Sequence, residues 1–207
     1  MKSSSSNFRL ELKRYKRVLT HNWFGYWNWK RSNYSPPSPY KVKNQILLSN
    51  SIPNAPWIET GTYLGETTKL LAKKSPMVVS FEPGETHFSY AKRRFRNSKN
   101  VKIINSTSEV GLEEVVCQFN SQVNFYFDGH ASGDGTFMGS SETPILHELA
   151  IVEKYLHKFE SIFVAIDDFR EFVESDGTYP SHNYLVSFCQ KNNLQWKVEQ
   201  DIFMIKK

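Results

Sequence analysis

The chain has 207 residues, 39% of them hydrophobic and 14% aromatic, with a net charge of +5. It is long enough to bury a core in one domain, and too rich in hydrophobic side chains to be disordered throughout. No apolar run is long enough to span a bilayer, and no apolar stretch follows the charged N-terminus as in a secretory signal. Cys117 and Cys189 stand far apart in apolar, helix-like settings. They are expected to be buried free thiols, which fits a reducing, cytoplasmic location.

The charge is unevenly placed. Residues 1–45 carry ten Lys and Arg against the single acid Glu11, a segment of about +9, which leaves the remainder at about −4. The basic character therefore belongs to an extension, and no nucleic-acid partner is expected for the globular part. Two regions follow: a basic, aromatic N-terminal extension and linker over 1–45, and a domain over 46–207.

Residues 1–6 are polar and Ser-rich, and predict a disordered start. Phe8 to Leu19 predicts a basic amphipathic helix, with Phe8, Leu12, Tyr15 and Leu19 three or four apart. Trp23, Phe24, Tyr26, Trp27 and Trp29 form an aromatic cluster. Such aromatics among basic residues can stack on bases, sit at a membrane interface, or pack across the domain or a partner copy. Peripheral membrane contact and a homodimer both stay open. Ser35 to Pro39 predicts a linker, because its prolines cannot continue a helix. Lys41 to Leu48 predicts a short helix into the domain.

From Trp57 the pattern alternates. Strands are predicted at Trp57–Glu59, Met77–Phe81, Val101–Asn105, Val123–Phe127 and Ile162–Ile166. Helices are predicted at Glu66–Lys74, Glu85–Arg96, Glu109–Phe119, Glu142–His157 with Pro144 in its first turn, and His182–Lys191. Gln195–Glu199 and Ile202–Lys206 close the chain as a tight hairpin. The fold class expected is α/β: a doubly wound, mostly parallel, Rossmann-like sheet with a C-terminal antiparallel strand. The final connection is too short for a parallel crossover.

Ligands of open parallel sheets bind beyond the carboxyl ends of the strands. Acids stand at four of the five parallel strand ends: Glu59, Glu82, Asp128, and the pair Asp167 and Asp168. Gly61 and Gly65 bracket the first strand-to-helix turn. Gly61 permits a tight turn and Gly65 a close backbone approach. A dinucleotide fingerprint needs a further glycine between them, and Tyr63 stands there, which argues against a pyrophosphate. Glu82 follows Gly61 by 21 positions, the spacing of an acid that accepts ribose hydroxyls. Together these predict a nucleoside-type ligand.

Glu59-Thr60-Gly61-Thr62-Tyr63-Leu64-Gly65, Phe81-Glu82-Pro83 and Phe127-Asp128-Gly129-His130 resemble the class I S-adenosylmethionine-dependent methyltransferases, over residues 55–207. The resemblance implies that Glu59, Gly61, Thr62, Tyr63 and Gly65 line the methionine and sugar. It implies that Glu82 holds the ribose, that Ser106 and Ser108 flank the adenine, and that Asp128 touches the cofactor. Asp128 with Asp167 and Asp168 is also similar to the Mg²⁺ site of catechol and macrocin O-methyltransferase-like enzymes. There a metal would bind an acceptor hydroxyl and lower its pKa. The lysine those enzymes carry three residues after the first acid is Ala131 here. His130, with Asp128, is the expected catalytic group in its place. The Gly-rich loop Gly129 to Ser141 is a candidate lid or acceptor-binding loop.

The function expected is methyl transfer to oxygen of a small or sugar-like molecule, with Mg²⁺ as a candidate second cofactor. The alternatives are a nicotinamide-dependent oxidoreductase, against which Tyr63 counts, and a non-catalytic RNA- or membrane-binding protein.

Overall fold

The computed structural model describes residues 2–20, 24–128, 144–173 and 180–207, with side chains from residue 7 onward. Three helices come first: α1 (Lys2–Leu19), α2 (Gly25–Arg31) and α3 (Tyr40–Asn50). The alternating part follows as β1 (Trp57–Thr60), α4 (Glu66–Ala72), β2 (Val78–Phe81), α5 (Glu85–Arg94), β3 (Val101–Ile104), α6 (Ser108–Val116), β4 (Ser121–Phe127), α7 (Ile145–Tyr155), β5 (Phe159–Ile166) and α8 (His182–Lys191). The hairpin β6 (Gln195–Glu199) and β7 (Ile202–Lys206) ends the chain.

The seven strands form one sheet in the order β3-β2-β1-β4-β5-β7-β6. The first five are parallel, and β7 runs antiparallel to both β5 and β6. This is the Rossmann-like architecture expected. Gln200 and Asp201 both take positive φ in the final turn, the backbone that a two-residue hairpin loop demands.

Strand alternation fills both faces. Ile58, Val79, Phe125, Val164 and Phe203 pack with Leu112 of α6, Leu149 and Val152 of α7 and Leu185 of α8. Their neighbours Trp57, Val78, Tyr126, Phe163 and Met204 face the other way, against Ile46 and Leu47 of α3 and Leu71 of α4. Side chains of successive strand residues point to opposite faces, so these near-continuous apolar strands are those of a sheet covered on both sides.

Three expectations need correction. Helix α1 begins at Lys2, so the Ser-rich start is helical, with no Pro or Gly in it to break the helix. Pro144 is the N-cap of α7 and stands ahead of its first turn. Cys117 is exposed, because α6 ends at Val116 and the thiol sits on its C-cap, whereas Cys189 is buried; both are free.

Candidate functional site

The sheet order reverses between β1 and β4, and a crevice outside the carboxyl ends of the strands belongs at that point. The glycine turn after β1 lies there. Gly61, Tyr63 and Gly65 all have positive φ, at 95°, 48° and 71°. A Cβ on Gly65 would stand 2.6 Å from the Phe95 ring, so this position excludes a side chain on two counts. The Arg94 guanidinium holds the carbonyl of Leu64 and pairs with Glu66 at 2.8 Å.

Glu82 clamps the turn from β2. Its Oε2 accepts the Tyr63 N–H at 2.7 Å and its Oε1 accepts the Gly84 N–H at 3.0 Å. Burial raises its pKa, partly offset by those two donors. Each carboxylate oxygen keeps a second lone pair for a ligand hydroxyl.

Glu59 is wholly buried within β1. Its Oε2 accepts from Thr68 Oγ1 at 2.5 Å and Ser80 Oγ at 2.6 Å. Thr62 Oγ1 lies 2.6 Å from Ser80 Oγ, which ties the turn to the same network. Glu59 Oε1 has no partner among the described residues. Burial pushes this carboxyl up to about 8, with Ser80 and Thr68 opposing and Asp128 and Glu82 adding to the rise. An orphaned buried acceptor is costly to leave unmade, and an ammonium group would satisfy it.

Ser106 and Ser108 lie beyond β3. Ser106 Oγ donates to the Thr107 carbonyl at 2.9 Å. Ser108 is buried at the start of α6, with its hydroxyl towards Glu148. His130 and the loop Gly129 to Ser141 lie outside the described residues.

The expected metal site is arranged differently. Asp128, Asp167 and Asp168 do reach the ends of β4 and β5, but a cation of the chain itself meets the pair. Lys43 Nζ of α3 lies 2.5 Å from Asp167 Oδ1 and 3.3 Å from Asp168 Oδ1. Burial opposes its charge, but Asp167 and Asp168 outweigh burial and hold its pKa above the usual value. Arg170 adds a second cation 2.8 Å from Asp168 Oδ1. Tyr126 Oη donates to Asp167 Oδ2 at 2.8 Å and lies 3.3 Å from Asp128 Oδ2. Among the described residues no group of three or more His, Cys, Asp or Glu side chains is gathered to hold a metal. These acids are compensated by protein cations and do not fit a resident Mg²⁺, which would have to displace an ammonium from between two carboxylates.

Several residues here gave no sequence signal. Lys43 looked like one more charge of a basic extension. Tyr40, one turn before it, lies 2.7 Å from Thr67 Oγ1 at the start of α4. His87 is buried on α5, with its ring 5.2 Å from that of Tyr63. Helix α1 also reaches the turn. Arg14 pairs with Glu66 at 3.0 Å, and Lys13 and Arg17 stand over the Tyr63 ring at 5.3 and 4.9 Å.

No protein-family model and no curated protein matches the chain. Solved structures match it in fold. A Streptococcus mutans protein assigned as a methyltransferase and solved with SAH is 13% identical, over 83% of this chain and 97% of its own, with a TM-score of 0.52. The 23S rRNA methyltransferase ErmE is 12% identical, over 81% of this chain and 66% of its own, with a TM-score of 0.51. Aeropyrum pernix fibrillarin, solved with natively bound S-adenosyl-L-methionine, is 14% identical, over 80% and 73%, with a TM-score of 0.50. What they share with this chain is the fold. In this chain that fold is a Rossmann-like sheet closed by an antiparallel strand pair at its C-terminus.

Proposed function

We propose that this protein is an S-adenosylmethionine-dependent methyltransferase acting on an oxygen of a small, sugar-like acceptor. One observation carries the reading. At the switch point of the sheet, a glycine turn closed by Glu82 adjoins a buried Glu59 with one oxygen unpartnered among the described residues. The set suits the three parts of that cofactor. Glu59 would meet the ammonium of its methionine part, Gly61 to Gly65 would pass close to its chain and sugar, and Glu82 would take ribose hydroxyls. When bound, the cofactor supplies an electrophilic methyl group for in-line transfer.

The chain's own contribution is positioning and proton handling. Asp128 stands at the end of β4, beside the turn, as a carboxylate able to take the acceptor's proton. Tyr126 and the Lys43–Asp167–Asp168 group beside it offer a dense set of donors and acceptors. That chemistry suits a polyhydroxyl acceptor. Because Lys43 meets the acids, the reading does not include a resident metal.

Titration calorimetry tests it. The protein should bind S-adenosylmethionine and S-adenosylhomocysteine with micromolar affinity, and NADH not at all. Glu82→Ala, with folding checked by circular dichroism, should weaken binding by about 100-fold, the scale of lost hydrogen bonds to a charged group. A folded wild-type protein that ignores both ligands at millimolar concentration would sink the proposal.

A further inference from the structure

Helix α1 is mounted in an unusual sense. A surface helix ordinarily turns its apolar stripe to the core. Here the polar face is inward. Asn7 is buried, Glu11 accepts from Tyr90 Oη at 2.9 Å, and Arg14 binds both Glu11 and Glu66 at 3.0 Å. The apolar stripe faces out: Phe8 is 71% exposed, Leu12 49%, Tyr15 58% and Leu19 63%. Phe24, Tyr26 and Trp27, on and beside α2, are exposed aromatics too. Arg9, Lys16, Lys30 and Arg31 are exposed as well, while Lys13 and Arg17 turn towards the Tyr63 ring. Glu11, the one acid of residues 1–45, is engaged inward.

We propose that the outward face of α1 docks the protein on an anionic lipid bilayer, with α1 lying in the interface plane. An in-plane helix needs an apolar stripe to enter the headgroup boundary and basic flanks to meet anionic headgroups, and this face has both. Its orientation is fixed, because rolling the stripe inward would break the Arg14–Glu66 and Glu11–Tyr90 contacts. Nucleic acid would use the cations and aromatic rings but gains nothing from Leu12 and Leu19, which neither stack nor hydrogen-bond. A second copy would bring a segment of about +9 against another of about +9, which repels. The inference stands apart from the methyltransferase reading.

Sedimentation of the full chain with vesicles decides it. In 0.1 M salt, vesicles of phosphatidylcholine with one quarter phosphatidylglycerol should bind at least tenfold more tightly than pure phosphatidylcholine, and 0.5 M salt should release the protein. Phe8→Ser with Leu12→Ser removes only exposed apolar groups, so the fold should persist by circular dichroism while vesicle affinity falls at least tenfold. Arg9→Glu with Lys16→Glu should do the same. Failure of the wild type to sediment with the anionic vesicles overturns the proposal. So does undiminished binding by the Ser variant, which would mark a purely electrostatic surface for polyanions such as RNA. A wild-type dimer that the Ser variant dissociates, without vesicle binding, would assign the face to a second copy and overturn it too.

Discussion

Glu148 shows how a single buried group shapes behaviour. It sits on α7 in the interior, and burial pushes its carboxyl up to about 7, with Ser108 and Thr60 opposing and Glu109 adding to the rise. Unfolded, it would titrate near its ordinary 4.5. Between those pH values the native state holds a proton that the unfolded state has released. Its contribution to stability is therefore full below the unfolded value and is lost as pH rises through 7. Glu148→Gln should stabilise the fold over wild type by a margin that grows from pH 5 to pH 8, reaching on the order of 1–3 kcal/mol. Glu59, held at about 8, adds to the slope that remains. A constant margin in thermal denaturation across that range would refute this. Gly65→Ala should destabilise by about 1–3 kcal/mol, because the new Cβ meets the Phe95 ring in a left-handed backbone; denaturant melts would show it. The turn at Gly61 and Gly65 was legible as sequence because its positive-φ backbone demands glycine at fixed places. Glu148 was not. An acid in a helical pattern looks solvated until the fold buries it.

At the scale of elements, α3 matters most. Tyr40, Lys43 and Leu47 fall on one side of it, and reach Thr67, Asp167 and the core. Lys43→Met should leave Asp167 and Asp168 short of one cation. It should cost about 3 kcal/mol, the scale for breaking a buried ion pair from one side, as read by urea denaturation. The same variant should open these acids to a divalent ion, so that Mn²⁺ raises its melting temperature while leaving wild type unmoved. Stabilisation of wild type by Mn²⁺ at low concentration would show that the ammonium does not hold the place. The sequence exposes the helices themselves through their periodicity, as Tyr40–Asn50 and His182–Lys191 attest. It does not expose what a helix lies upon. Phe8, Leu12, Tyr15 and Leu19 predict a helix correctly, yet they suggest the wrong side as the docked one, because Arg14 and Glu11 find partners on α4 and α5.

For the whole molecule, the alternating pattern gave the architecture nearly complete. Apolar runs such as Val78–Phe81 and Phe163–Ile166 mark strands covered on both faces, and the two-residue turn at Gln200 and Asp201 forces an antiparallel close. The lateral order of strands and the placing of residues 1–45 depend on packing between distant segments, which no local pattern encodes. The Lys43–Asp167 pair spans 124 positions and the Ser38–Gln200 contact spans 162. Both tie the start of the domain to its last strands. Closing such loops costs entropy that only long-range contacts repay. On a ribosome, then, the acids beyond β5 would acquire their lysine only late in synthesis. Until then α3 lacks the part of its seat that Ile202 and Met204 of β7 supply, and Ile46 and Leu47 remain more open to wrong contacts. A nascent chain arrested before β7 should be readily cut by protease within α3, whereas the released protein should resist.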